Sequence, residues 1–109
     1  MREIVILGST GSIGVQALEI IAANPNKFRV VALAAGFQNV PLLIEQAKKF
    51  SVPIIGTTAD RKTVLDLAGD IQVIDGPLAA SEIATIPCDI VLNGITGSIG
   101  LGPTLAALG

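Results

Sequence analysis

An apolar run, Ile4-Val5-Ile6-Leu7, passes without a spacer into Gly8-Ser9-Thr10-Gly11-Ser12-Ile13-Gly14 and then into a helical pattern. This is a glycine-rich strand-to-helix turn, and the apolar run before it reads as the first strand of a sheet. Backbone N–H groups at such a turn, aimed by the helix N-terminus, form a ready site for a pyrophosphate. A second version, Gly94-Ile95-Thr96-Gly97-Ser98-Ile99-Gly100, follows Asp89-Ile90-Val91-Leu92-Asn93. Two such turns point to a nucleotide site. The segments between them are not alike, so similar demands on two strand-to-helix turns explain the likeness better than duplication does.

The core of such a chain must be aliphatic, because 50% of the residues are hydrophobic but only three are aromatic, all Phe. Packing by Ile, Val, Leu and Ala suits a parallel sheet covered on both faces. One domain over 1–109 is expected. No apolar stretch nears the roughly 20 residues that span a bilayer, and Met1-Arg2-Glu3 does not read as a secretory leader. A soluble cytosolic protein is the expectation, with no membrane partner. A net charge of −2 with scattered Lys and Arg lacks the basic face of a nucleic-acid binder. The single Cys88 fits a reducing compartment and reads as a buried structural thiol. With no histidine in the sequence, Ser-His-Asp chemistry and the usual zinc sites are excluded.

Strand-like runs at Arg2–Leu7, Phe28–Ala34, Val52–Gly56, Ile71–Ile74 and Asp89–Asn93 alternate with helical patterns. The first helix is predicted over Ser12–Ala23, with Ile13, Ala17, Ile20 and Ile21 on one face and Asn24-Pro25 as its stop. The second spans Val40–Phe50, with a stripe of Leu43, Ala47 and Phe50 and with Pro41 in its first turn. The third spans Ala59–Ala68, capped by Thr58 and closed by Gly69. A short fourth runs from Pro77 to Ala84, and a fifth starts at Pro103. The pattern is α/β, a doubly wound Rossmann-like parallel sheet of five strands in the predicted order 3-2-1-4-5. Both glycine turns then border one crevice at the carboxyl edge. A final helix of Pro103–Gly109 is short for independent packing, and the chain reads as the N-terminal part of something longer.

In the first turn Gly8 allows the tight exit from the strand, Gly11 a close approach to phosphate, and Gly14 close helix packing. Thr10 and Ser12 add hydroxyl donors for phosphate oxygens. The spacing is G-x-x-G-x-x-G, not the commoner G-x-G-x-x-G. The second strand ends Ala34-Ala35-Gly36-Phe37-Gln38-Asn39 without the carboxylate that grips a ribose 2′-hydroxyl in NAD sites, which leaves NADP open. Gln38 and Asn39 can donate amide hydrogens there, with Phe37 against the adenine. Equally, Asn39 can cap the second helix and Phe37 plug the sheet edge. Arg61 and Lys62 read as a solvated helix start more readily than as phosphate contacts. The loop Gly94–Gly102 lies towards the nicotinamide half of the cofactor.

The runs Ile6-Leu-Gly-Ser-Thr-Gly-Ser-Ile-Gly14, Asn24-Pro-Asn-Lys-Phe-Arg-Val-Val-Ala-Leu33, Asn39-Val40 and Glu45-Gln46 closely resemble the start of the 1-deoxy-D-xylulose 5-phosphate reductoisomerase family. Gly97-Ser-Ile-Gly-Leu-Gly-Pro-Thr-Leu-Ala-Ala-Leu108 resembles that family's stretch after the fifth strand, whereas Thr57 to Pro87 is not diagnostic. The resemblance implies the NADPH-binding domain of an enzyme that makes 2-C-methyl-D-erythritol 4-phosphate from 1-deoxy-D-xylulose 5-phosphate, in non-mevalonate isoprenoid synthesis. It implies that Thr10, Gly11, Ser12 and Ile13, with Gly8, hold the cofactor phosphates, and that Gly36, Gln38 and Asn39 hold the 2′-phosphate end. Many members carry Lys or Arg where this chain has Phe37-Gln38. The family's divalent metal (Mg or Mn), its Lys-Glu segment and its substrate-phosphate site are expected beyond Gly109, so no catalytic residue or metal ligand is assigned here. The resemblance further implies a homodimeric parent in the bacterial cytoplasm or plastid stroma. Another NADP-dependent reductase, or a free-standing NAD(P)-sensing module, would share the first turn but not the match at 97–108.

Overall fold

Side chains of the first strand, β1 (Arg2–Leu7), are buried on both sides of a sheet. Ile4 and Ile6 enter one core while Val5 and Leu7 enter another, as the two-residue period of a strand requires. A computed structural model describes residues 2–36, 39–59, 61–76, 78–94 and 98–101. After β1 come α1 (Ser12–Ala23), β2 (Phe28–Ala35), α2 (Val40–Lys49), β3 (Ile54–Thr57) and α3 (Arg61–Ala68). They are followed by β4 (Gln72–Asp75), α4 (Ala79–Ala84), β5 (Ile90–Asn93) and β6 (Ser98–Leu101).

The α/β doubly wound class is as expected, but the strand order is not. The sheet runs β4-β3-β2-β1-β5-β6, with β1 to β5 parallel and β6 antiparallel to β5. The predicted 3-2-1-4-5 put the fourth strand beside the first, yet β4 pairs with β3 and β5 takes the place next to β1. Right-handed crossovers fix the face on which each helix lies, not how many steps the chain takes before turning back. Composition decides the rest. Gln72 and Asp75 at the two ends of β4 are exposed, which suits an edge, whereas Ile90-Val91-Leu92 tolerates cover on both faces.

Consistent with that route, α1, α2 and α3 line one face and α4 the other. Leu18, Ile21, Leu43, Ile44, Ala47, Val64 and Ala68 pack on Ile4, Ile6, Leu33 and Ile55. On the opposite face Ile83 and Cys88 join Val5, Leu7, Ala32, Ala34 and Val91. The register of β1 on β2 slips between Ile4↔Val30 and Val5↔Ala32, so Val31 is an extra residue and the strand bends there.

Several boundaries and faces differ from expectation. The buried stripe of α1 is Gly14, Leu18 and Ile21, whereas Ile13 (41%) and Ile20 (62%) are exposed. Gly14 must face the backbone of the preceding turn, and that contact sets the helix rotation. Thr58 stands before α3 rather than capping it, and Thr57 Oγ1 instead accepts from the Ala59 N–H at 3.1 Å. Gly69, with φ +62, closes α3 as predicted. Within the loop expected over Gly94–Gly102, residues 98–101 form β6. The predicted fifth helix from Pro103, and Pro77 at the start of the fourth, lie outside the described residues.

Cys88 is buried, as read from the sequence. Burial pushes its thiol up from the ordinary range, and the Asp89 carboxylate adds to that. A raised folded value means that the neutral thiol's contribution to stability is complete below the unfolded value, about 8.5, and declines as pH rises above it. A disulfide reagent at pH 8 should modify the native chain at least about tenfold more slowly than the urea-unfolded chain. Equal rates would show that the thiol is not packed as described.

Candidate functional site

The turn after β1 is built from backbone. Gly8 adopts φ 77, a left-handed conformation, and its N–H and that of Ser9 both donate to the Ala34 carbonyl, at 2.7 and 3.1 Å. The Gly8 carbonyl in turn accepts from the Gly11 N–H at 3.1 Å. Gly11 is the residue before α1, with extended backbone and no side-chain capping bond, and the first bond of the helix runs from Val15 N–H to Gly11 O at 2.9 Å. The N–H groups of Ser12, Ile13 and Gly14 are therefore those that a helix leaves without partners inside itself. No acidic residue sits in this first turn, so the positive end of the helix dipole is not neutralised from within.

Close packing keeps side chains out of the turn. A Cβ on Gly14 would lie 2.4 Å from Gly8 O and 2.6 Å from Ser9 Cα. The end of β5 reaches the same place. Gly94 N–H donates to Leu7 O at 2.6 Å, and a Cβ on Gly94 would sit 3.0 Å from Leu7 O and 3.1 Å from Gly8 O. The first glycine turn thus touches Gly94, the opening residue of the second, more closely than the expected strand order allowed. They meet where the chain's direction of winding reverses, between β1 and β5, the position at which open α/β sheets bind ligands.

At the end of β2, Gly36 is exposed, and among the described residues a Cβ there would meet only Thr58 Oγ1, at 3.9 Å. Thr57 Oγ1 lies 3.4 Å from the Gly36 carbonyl and donates to it. Asn39 occupies the residue before α2, but its exposed side chain makes no capping bond. Gly8, Thr10, Gly11, Ser12 and Ile13 accordingly gather at one helix N-terminus, and Gly36 and Asn39 follow the neighbouring strand at the same sheet edge. Gln38 and Phe37 lie outside the described residues. Among the described residues no group of three His, Cys, Asp or Glu side chains is placed to hold a metal ion, and no helix is long and apolar enough to cross a membrane.

The family model described as 1-deoxy-D-xylulose 5-phosphate reductoisomerase matches residues 4–109. This chain belongs to that reductoisomerase family. The relative from Beutenbergia cavernae is 50% identical over 98% of the chain and 29% of its own length. That from Leifsonia xyli is 51% identical over 99% of the chain and 25% of its own length. The chain therefore spans only about a quarter to a third of the curated relatives it matches. Among solved structures, the reductoisomerase from Zymomonas mobilis in complex with NADPH aligns with TM-score 0.75 at 27% identity, over 81% of this chain and 24% of that one. A reductoisomerase complex with NADPH, fosmidomycin and magnesium aligns with TM-score 0.68 at 33% identity, over 79% of this chain and 22% of that one.

One residue that bonds to the glycine turn was noted in the sequence only within the resembling pair Glu45-Gln46, with no role assigned. Gln46 of α2 is buried, and its Nε2 donates to the Ser9 carbonyl at 2.9 Å. Its signal was a polar side chain three residues after Leu43, on the flank of an apolar stripe, where a leucine would serve packing as well.

Proposed function

We propose that this chain is the NADPH-binding part of a 1-deoxy-D-xylulose 5-phosphate reductoisomerase. In that reading Gly8, Thr10, Gly11, Ser12 and Ile13 hold the pyrophosphate, and Gly36, Gln38 and Asn39 hold the adenosine 2′-phosphate end. The observation that carries it is the bare, uncapped N-terminus of α1 abutting Gly94 at the switch point. The fit is specific in detail. With the Gly11 N–H bound to Gly8 O, the donors left for phosphate oxygens are the N–H groups of Thr10, Ser12, Ile13 and Gly14 and the hydroxyls of Thr10 and Ser12. Ile13, exposed at the mouth, gives the cofactor an apolar contact. Packing does not demand a glycine at 36, so its small size leaves room for a ribose to lie against the strand end.

When bound, NADPH supplies the hydride that reduces the rearranged substrate. What these residues do is bind and orient it, with the nicotinamide towards Gly94 and the adenosine towards Gly36. The same reading places the divalent metal and 1-deoxy-D-xylulose 5-phosphate on other parts of a full-length enzyme, a homodimer of the bacterial cytoplasm or plastid stroma. No turnover is expected from the 109 residues alone, given the share of their relatives that they span. Calorimetric titration with NADPH, NADH and ADP tests the site. Binding of NADPH is expected, and binding of none of the three would remove the cofactor assignment.

A further inference from the structure

We infer that Gln46 is a positioning residue for the phosphate loop, fixing from α2 the peptide that turns the Thr10 N–H towards the ligand. This rests on the reading that the loop holds NADPH, and it adds a residue that touches no part of the cofactor. Three observations carry it. Gln46 is 7% exposed and Ser9 is fully buried, so the bond between them at 2.9 Å is shielded from water. The other anchors of the turn are backbone bonds: Gly8 and Ser9 N–H to Ala34 O, and Gly11 N–H to Gly8 O. Among the described residues, Gln46 supplies the one side-chain bond to the loop's backbone.

The geometry of the peptide unit converts that bond into an orientation. A trans peptide is planar, and its C=O and N–H point in opposite directions. An inward Ser9 carbonyl, held by the amide of Gln46, therefore sends the Thr10 N–H outward, beside those of Ser12 and Ile13. Without the amide the Ser9 carbonyl would be buried and unpartnered, and rotation of the Ser9–Thr10 peptide would be its means of finding another donor. That rotation turns an N–H away from the phosphate side and brings a carbonyl oxygen towards it. The burial of Gln46 is otherwise hard to account for. Its Oε1, like the Ser9 hydroxyl, is enclosed with no partner among the described residues, so the amide sits where an apolar side chain would incur less desolvation.

The experiment uses Gln46→Leu, which keeps the volume and removes the donor, beside Val64→Ala, a core change under α3 away from the loop. Melting is followed by circular dichroism, NADPH affinity by calorimetry, and the Thr10 and Ser12 amides by NMR. Both variants are expected to melt earlier. Only Gln46→Leu should weaken NADPH, by about tenfold, and move the two amide resonances. Wild-type affinity and unmoved amides in folded Gln46→Leu would overturn the proposal, as would equal weakening in Val64→Ala. If Gln46→Leu does not fold, Gln46→Glu decides. Its buried carboxyl regains a donor on protonation, so its affinity relative to wild type should recover as pH falls from 8 to 6. A flat ratio would refute the role. Should wild type itself bind no NADPH, the cofactor reading fails, and the loop amides alone judge Gln46.

Discussion

A Gly14→Ala chain should melt at least about 10 °C below wild type and bind NADPH poorly wherever it remains folded. Two effects oppose one another. Alanine inside a helix is favoured over glycine by about 1 kcal/mol. Against that, the new methyl would lie 2.4 Å from Gly8 O, 2.6 Å from Ser9 Cα and 2.8 Å from Ser9 C. All three are backbone atoms, and none can rotate aside as a side chain would. Overpacking of this kind costs typically about 1–3 kcal/mol and sometimes more, and here relief requires α1 to move off the turn. A net loss of about 2 kcal/mol corresponds to roughly 10 °C for a domain of about this length. If this turn holds the NADPH phosphates as proposed, the same movement opens it, and affinity falls with stability. Gly36→Ala is the control, because among the described residues its methyl would meet only Thr58 Oγ1, at 3.9 Å. It should melt within about 2 °C of wild type. Thermal unfolding monitored by circular dichroism reads both, and coincident melts of Gly14→Ala and wild type would mean that α1 does not rest on the turn.

That contact also marks the boundary of what the sequence made legible. β1 was readable to the residue, because an uninterrupted Ile-Val-Ile-Leu run followed by glycine has few other readings. The start of α1 at Ser12 followed from the same motif. The buried face of α1 followed only in part: Gly14 was legible as a close-packing residue and Ile21 as an inner one, but hydrophobic periodicity also drew in Ile13 and Ile20, which are exposed. The proximity of Gly8 O shows how closely that glycine must sit on the turn. Strand order failed for a related reason. Local pattern identifies strands, but the choice between β4 and β5 as neighbour of β1 depends on which strand tolerates burial on both faces, a property of the assembled sheet. Gln46 was invisible as a functional residue because its partner is a backbone carbonyl 37 residues away, and carbonyls leave no trace in a sequence. The grouping of Gly8 to Ile13 with Gly36 and Asn39 was legible, since a parallel sheet brings the ends of adjacent strands to one edge.

If the α1 terminus holds a pyrophosphate, Ser12→Asp should drive stability and affinity in opposite directions. Ser12 is exposed at the first position of α1, and the helix carries no acidic residue in its first turn. A carboxylate there interacts favourably with the helix dipole, so the free chain should melt about 2–5 °C higher at low ionic strength. The same carboxylate faces the phosphates of a bound cofactor. Like charges a few ångströms apart at a partly shielded site repel strongly, and NADPH should bind about 100-fold more weakly, less so as salt is raised. Ser12→Asn separates charge from hydroxyl loss, and it should weaken binding by no more than about fivefold. A merely structural turn would show the gain in melting temperature for Ser12→Asp without the loss of affinity. Since loss of a fold lowers both quantities together, only occupation of the helix N-terminus by an anion separates them in this way.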